Sequence, residues 1–116
     1  DHWAHEPGVF DADLEAWVDN FMKPGNVRGG FDWYVGIDDA RMQVMRHGPP
    51  ELPGIEAPAR FLWGAEDPII RAAWSDGLGD YFSDHELTVL PGAGHFVHYE
   101  RPDVANREIT RFFSNL

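Results

Sequence analysis

Apolar residues recur with helical spacing near the start of the chain. They stand at positions i, i+3, i+4, i+7 and i+8, which places them on one face of a helix. The residues that form this face are Leu14, Trp17, Val18, Phe21 and Met22. An aspartate at 11 or 13 can cap the start of the helix, and Pro24-Gly25 is typical of its end.

The next stretch predicts a second helix from Phe31 to about Met45. Gly48-Pro49-Pro50 would stop it, because proline cannot continue a helix. Gly36, Asp38 and Asp39 weaken the prediction in the middle of this helix. A proline-rich connector up to Pro58 then shows neither a helix nor a strand pattern.

After the connector the pattern alternates between strand and helix. It predicts a strand over 59–63, a helix over about 72–82, a strand over 86–90 and a helix over about 102–113. Strands that alternate with helices pair in parallel through βαβ units. Two strands do not make a stable parallel sheet, so the fold class is α/β with a sheet that is incomplete by itself.

Composition narrows the possible classes of protein. The chain has 116 residues, 43% of them hydrophobic, which suits one globular domain. No apolar run is long enough to span a bilayer. The formal charge of −11 argues against nucleic acid or an anionic membrane surface as a partner. The chain has no cysteine, which excludes thiolate catalysis and permits a cytoplasmic address.

An acid and a histidine each follow a predicted strand. Asp67 comes after the apolar run that breaks at Gly64, and His95 lies 28 residues later on the glycine-rich turn Pro91-Gly92-Ala93-Gly94. Because functional groups of open α/β sheets gather at the carboxyl ends of strands, we expect these two side chains to meet. They form two thirds of a nucleophile–base–acid triad. A turn-capping Asp67 and a loop histidine without a role are the alternatives for each residue taken alone.

Other residues offer weaker candidates. Glu66 could replace Asp67 as the acid, although it should point elsewhere from a tight loop. The hydroxyl of Tyr34 could donate a hydrogen bond to a developing oxyanion, or the ring could simply pack in a helix. Trp3, Trp17 and Trp33 could pack in the core or wall a dry pocket. The histidine pairs lack a third ligand at motif spacing, so no metal site is expected.

Two motifs resemble the C-terminal end of an α/β-hydrolase of the epoxide hydrolase and dehalogenase branch. They are Phe61-Leu62-Trp63-Gly64-Ala65-Glu66-Asp67-Pro68 and Leu90-Pro91-Gly92-Ala93-Gly94-His95-Phe96, followed by Glu100-Arg101-Pro102-Asp103. In that family the acid often follows the seventh strand and the histidine the eighth, after the nucleophile. The resemblance implies that residues 1–54 are the later part of a helical cap with its connector. Residues 55–116 would then be the C-terminal part of the core.

The cap segment Gly29-Gly30-Phe31-Asp32-Trp33-Tyr34 is similar to the part of epoxide hydrolases that carries a ring-opening tyrosine. The resemblance therefore implies that Tyr34 assists as an electrophile or as a donor to the leaving group. We also expect a substrate pocket that includes Trp3, Trp33 and Phe96. Val35 departs from the arginine that commonly follows this tyrosine. The position of Asp67 after the seventh strand favours an epoxide hydrolase over a haloacetate dehalogenase.

The chain contains no Gly-x-Ser-x-Gly or Gly-x-Asp-x-Gly elbow, so the nucleophile is expected outside it. We interpret the chain as the C-terminal part of a longer hydrolase that acts on a small apolar substrate without a metal or organic cofactor. The remainder of that hydrolase is the expected partner. A haloacetate or haloalkane dehalogenase and a serine esterase are the enzymatic alternatives. A non-catalytic interaction module, which could oligomerise through its exposed sheet edge, is the alternative from another class.

Overall fold

The computed structural model describes residues 2–115. Their backbone contacts divide into two compact units, one formed by residues 2–9 together with 53–115 and the other by residues 10–52. The sequence predicted a cap boundary near residue 54, which stays a prediction about the parent protein. The structure groups the first residues of the chain with the later unit.

The unit of residues 10–52 contains three helices: α1 (Leu14–Phe21), α2 (Asn26–Gly36) and α3 (Asp38–His47). Helix α1 confirms the first predicted helix. Asp13 stands at its N-cap position, but the Asp13 side chain makes no capping hydrogen bond. Pro24 and Gly25 separate α1 from α2, and Gly25 adopts a φ of 87°, which favours glycine.

The prediction of one continuous helix from Phe31 to Met45 is wrong. The structure has α2 and α3 instead, with Ile37 between them at φ −95° and ψ 0°. Gly36 has low helix propensity, and the aspartates at 38 and 39 favour the first turn of a helix, where the macrodipole stabilises them. These residues therefore favour the end of α2 and the start of a separate helix, α3, at this point.

The other unit carries a sheet of two strands, β1 (Ala59–Gly64) and β2 (His85–Leu90). The strands run parallel, with Ala59 opposite His85 and Gly64 opposite Leu90. This confirms the predicted strands and their parallel pairing. Both strands end side by side, so the loops that follow them emerge at the same edge of the sheet.

The connection between the strands differs from the prediction. Residues Ala72–Asp80 form a 3₁₀ helix rather than an α-helix. The Ser75 hydroxyl donates a hydrogen bond of 2.6 Å to the carbonyl of Ala72, which competes with regular helix bonding. Gly77 and Gly79 further weaken an α-helix here.

Two helices follow β2: α4 (Val97–Glu100) and α5 (Pro102–Phe113). Helix α5 confirms the predicted last helix. Residues 98–100 belong to the separate turn α4. Arg101 between them adopts φ −133° and ψ 62°, because the residue before a proline is disfavoured in the helical region.

The hydrophobic core of the described residues is small. Four apolar residues are buried: Ala93, Val97, Val104 and Ala105. Larger apolar side chains stay open to solvent, such as Ile109 with 53% and Phe113 with 67% of its surface exposed. The sheet unit thus leaves much of its apolar surface uncovered.

Candidate active site

Asp67 lies on the loop after β1, where a tight turn fixes its carboxylate. The Asp67 backbone N–H donates to the carbonyl of Gly64 at 3.3 Å. Its Oδ1 accepts hydrogen bonds from the backbone N–H groups of Ile69 and Ile70 at 2.8 and 3.0 Å. The Asp67 side chain is only 6% exposed. The turn-capping role that the sequence left open is therefore present, and it occupies one of the two oxygens.

The second oxygen of Asp67 holds the histidine. Nδ1 of His95 lies 2.9 Å from Oδ2 of Asp67, and the His95 side chain is 24% exposed. The structure brings together the two side chains that the sequence predicts to meet. Their catalytic roles remain predictions.

Three hydrogen bonds and burial act in opposite directions on the pKa of Asp67. Burial is the largest single influence and raises this pKa, because a charged carboxylate is poorly solvated there. The hydrogen bond with His95, the two from Ile70 and Ile69, and the attraction to the imidazole together outweigh it. The net result is a pKa below the ordinary aspartate value. Asp67 is therefore ionised at neutral pH.

The ionised carboxylate determines how the imidazole is protonated. A carboxylate can only accept, so Nδ1 of His95 donates the hydrogen bond. In the neutral ring the lone pair is then on Nε2, which is the nitrogen that can take a proton from water or a hydroxyl. The pair has the arrangement that general-base catalysis requires.

Glu66, the alternative acid, points to another partner. Its Oε2 accepts hydrogen bonds from the backbone N–H groups of Gly92 and Ala93 at 2.9 and 3.2 Å. The Glu66 backbone N–H donates to the carbonyl of Ala93 at 3.1 Å. Glu66 thus ties the loop after β1 to the turn that precedes His95, and the Asp67 carboxylate is the one that reaches the imidazole.

Glu100 also binds the loop of residues 91–96 that carries the histidine (the histidine loop), a role that the sequence pattern did not predict. Its Oε1 accepts from the N–H of Phe96 at 3.1 Å, and its Oε2 accepts from the N–H of Gly94 at 2.9 Å. The same Oε2 accepts from the N–H of His5 at 2.7 Å. The signal in the sequence was a glutamate five residues after the histidine, at the end of a short helical turn.

The two loops approach each other so closely that Gly64 has no room for a side chain. A Cβ built there would collide with the carbonyl groups of Gly94 and Ala93. The end of β1 therefore lies directly against the turn before His95. Because the loops are this close, the short side chain of Asp67 reaches the imidazole.

Two aromatic rings surround the imidazole of His95. Trp3 meets it edge-on with ring centroids 5.5 Å apart, and Phe96 does so at 5.1 Å. Trp3 also stacks on Phe96 at 6.1 Å. The backbone N–H of His95 donates a hydrogen bond to the carbonyl of Trp3 at 2.7 Å. Two of the three predicted pocket residues thus lie beside the predicted base.

A groove of about 760 Å³ extends from this pair along the sheet. Asp67 and His95 both line it, together with Phe61 and Leu62 of β1 and Ile109 of α5. Apolar atoms form most of its wall, but about half of the lining residues are polar or charged, among them Arg60, Glu86, Glu108 and Arg111. Trp3 and Phe96, which were predicted to line the substrate pocket, are not among the residues that line this groove.

Tyr34 and Trp33 lie on α2, in the unit of residues 10–52. Tyr34 is 47% exposed and Trp33 is 59% exposed. Their rings meet edge-on at 5.0 Å, and the guanidinium of Arg41 lies 5.9 Å from the centre of the Tyr34 ring. The proposed roles of both residues remain predictions.

Among residues 2–115, no cluster of three or more histidine and carboxylate side chains has a geometry that could hold a metal ion. Within the same residues, every helix is too short or too polar to cross a bilayer.

Comparisons with known proteins identify relatives over almost the whole chain. Epoxide hydrolase 3 of Mus musculus is 27% identical over 112 residues, which cover 95% of this chain and 29% of that protein. Esterase YbfF of Escherichia coli is 34% identical over 111 residues, which cover 96% of this chain and 40% of that protein. Epoxide hydrolase A of Mycobacterium tuberculosis is 24% identical and is covered to 33%. No protein-family model matches the chain.

Part of a solved structure has the same fold as this chain. The crystal structure of wild-type Cfl2 from Burkholderia cenocepacia superposes with a TM-score of 0.74 at 22% identity. The match covers 96% of this chain and 37% of that chain.

The fold and these relatives identify the chain as an α/β-hydrolase segment. Its homologues are epoxide hydrolases and esterases, and it matches a C-terminal part of them. The chain spans about a third of the length of the curated relatives it matches, between 29% and 40% for those described above.

Proposed function

We propose that this chain supplies the base, the acid and a cap tyrosine of an epoxide hydrolase whose nucleophile lies elsewhere in the complete polypeptide. The observation that carries the proposal is the hydrogen bond of 2.9 Å between Nδ1 of His95 and Oδ2 of the buried Asp67. The epoxide hydrolases among the relatives of this chain support the choice of reaction.

The first half-reaction forms an ester between the enzyme and the substrate. An oxygen of an aspartate nucleophile attacks one carbon of the epoxide, and the bond between this carbon and the epoxide oxygen breaks. The Tyr34 hydroxyl gives its proton to that oxygen, which leaves a hydroxyl group on the product side and a tyrosinate on the enzyme.

The second half-reaction hydrolyses the ester. Nε2 of His95 takes a proton from water, and the water oxygen bonds to the ester carbonyl carbon. The bond between this carbon and the alkoxide then breaks, and the imidazolium gives its proton to the departing alkoxide to release a diol. The new carboxylic acid loses its proton to the Tyr34 oxygen through solvent, which restores both groups.

Asp67 contributes to both protonation states of His95. Its carboxylate fixes the tautomer of the neutral ring and stabilises the imidazolium that forms when water is activated. The rings of Trp3 and Phe96 lie against the imidazole and would suit a small apolar substrate. The reaction as written uses neither a metal nor an organic cofactor.

A serine esterase is the second candidate, because Esterase YbfF is 34% identical to this chain. The same histidine and aspartate would then activate a serine, and the intermediate would be an acyl-enzyme. The dehalogenase that the sequence left open would share the aspartate ester but release a halide.

The test is an assay of two polypeptides with an epoxide and with a p-nitrophenyl ester. We expect the complete gene product to hydrolyse the epoxide and residues 1–116 alone to turn over neither substrate. If the complete gene product turns over only the nitrophenyl ester and its mass spectrum shows an acylated serine, the esterase becomes the better proposal. Activity of residues 1–116 alone would overturn the assignment of an external nucleophile.

A non-catalytic module is supported by one observation, the small core with uncovered apolar side chains. Such a chain could associate with a copy of itself through the sheet edge. Inactivity of the complete gene product towards every substrate class, together with self-association of the chain, would favour this alternative.

A further inference from the structure

We propose that Glu100 is a positioning residue for His95, and that Glu66 has the same role with a different tolerance to substitution. The inference rests on the proposed function, in which His95 activates water. It adds two carboxylates that would contact neither the substrate nor the attacking water. Both would act through the backbone of the histidine loop.

Glu100 fixes the backbone on both sides of His95. Its two oxygens accept from the N–H of Phe96 at 3.1 Å and from the N–H of Gly94 at 2.9 Å. These amides belong to the residues directly after and directly before the histidine. A single carboxylate therefore clamps the peptide segment from which the imidazole projects.

The same carboxylate also fixes the segment that packs on the imidazole. Oε2 of Glu100 accepts from the N–H of His5 at 2.7 Å, and the neighbouring carbonyl of Trp3 accepts from the N–H of His95. A Cβ on Gly94 would lie 2.6 Å from the carbonyl oxygen of Trp3, so the two backbones are already in close contact. Glu100 thus holds the histidine loop and its aromatic neighbour in one arrangement.

The side chain of Glu66 binds the turn before His95 through one oxygen only. Oε2 accepts from both Gly92 and Ala93, at 2.9 and 3.2 Å. The carbonyl oxygen of a glutamine at 66 can accept both bonds, although more weakly because the charge is lost. Glu100 uses both of its oxygens. A glutamine at 100 would have to point its NH₂ group at an N–H donor.

The consequence should fall on one chemical step. Water activation requires the imidazole to lie within hydrogen-bond reach of a water that is aligned with the ester carbon, and a displacement of about 1 Å can cost about 100-fold in rate. Attack of the nucleophile on the epoxide does not use His95. We therefore expect Glu100→Gln to slow hydrolysis of the ester by roughly 10- to 100-fold and to leave ester formation nearly unchanged.

The experiment uses the complete gene product with styrene oxide as the probe. Quenched single-turnover reactions followed by intact mass measure ester formation and ester hydrolysis separately. Hydrogen exchange of the peptide that spans residues 91–100 reports the loop itself. The variants are Glu100→Gln and Glu66→Gln, with Glu56→Gln as a control that removes the same charge from an exposed position of the same unit.

We expect Glu100→Gln to accumulate the ester and to exchange faster at Gly94 and Phe96. Glu66→Gln should change hydrolysis by less than about threefold, since it keeps its bonds, and Glu56→Gln should match the wild type. Unchanged exchange and hydrolysis in Glu100→Gln would overturn the inference, as would equal losses in both half-reactions. If the wild type forms no ester but the exchange pattern holds, the epoxide hydrolase assignment fails while the clamp on the histidine loop stands.

Discussion

Glu66 and Asp67 are neighbours in the chain, yet their carboxylates bind different parts of the histidine loop. Glu66 accepts from the backbone amides of Gly92 and Ala93, while Asp67 accepts from the imidazole of His95. The loop after β1 therefore holds both the backbone that precedes the histidine and its side chain. Asp67 is thus the carboxylate that contacts the imidazole, whereas Glu66 contacts the backbone of the loop.

Replacing Asp67 by asparagine should leave the turn intact and disturb the imidazole. The amide oxygen can still accept from Ile69 and Ile70, but its NH₂ group would face Nδ1 of His95 and favour the opposite tautomer. In the complete gene product we expect a loss of about 10³- to 10⁴-fold in the rate of ester hydrolysis. Single-turnover kinetics measure it. The exposed Asp76→Asn is the control, and a loss below tenfold would argue against the orienting role of Asp67.

The lowered pKa of Asp67 predicts how the stability of the protein depends on pH. A carboxyl group whose pKa is lower in the folded state stabilises the fold above its ordinary pKa and loses this contribution as pH falls through the folded value. We expect the free energy of unfolding of the wild type to exceed that of Asp67→Asn by about 1.5–3 kcal/mol at pH 7. The difference should shrink below about pH 4. Chemical denaturation at several pH values checks this, and a difference that grows on acidification would contradict it.

Gly64 should tolerate no side chain, because a Cβ there meets the carbonyls of Gly94 and Ala93. We expect Gly64→Ala to displace the histidine loop and to lower the free energy of unfolding by about 1–3 kcal/mol. Gly29→Ala is a matched control inside α2, where a Cβ would meet nothing within 4 Å. The control should be neutral or stabilising by up to about 1 kcal/mol. Equal unfolding midpoints for the two variants would refute the close approach of the loops.

Tyr34→Phe should affect the half-reaction that His95 does not serve. If the Tyr34 hydroxyl gives a proton to the epoxide oxygen, its removal slows ester formation by roughly 100-fold and leaves ester hydrolysis unchanged. Pre-steady-state kinetics of the complete gene product separate the two steps. Tyr81→Phe, at another exposed tyrosine, is the control. Normal ester formation in Tyr34→Phe would remove this residue from the mechanism.

The sequence predicts the parts of the fold that depend on local pattern. The two strands, their parallel pairing and helix α5 follow from apolar runs and helical spacing, and the meeting of Asp67 and His95 follows from strand ends on one edge. The break at Ile37 and the 3₁₀ helix were missed because Gly36, Ser75 and their neighbours decide them through local competition for backbone hydrogen bonds.

The bracing of the histidine loop could not be predicted from pattern alone. Glu100 binds the amide of His5, which is 95 positions away in the chain, and such a contact depends on tertiary packing. Glu66 and Asp67 are adjacent carboxylates whose side chains bind different partners in the folded loops. Residue type and spacing suggest candidates for a site, whereas the direction of each carboxylate comes from the folded loops.

The most direct test of the central claim is the fate of the ester in His95→Ala. The complete gene product carrying this change is mixed with styrene oxide, quenched, and examined by intact mass and by peptide mapping. We predict a stoichiometric mass increase of one substrate on a carboxylate outside residues 1–116, with ester formation near the wild-type rate and hydrolysis at least about 100-fold slower. Normal turnover by His95→Ala, with no trapped ester, would contradict the assignment of His95 as the base.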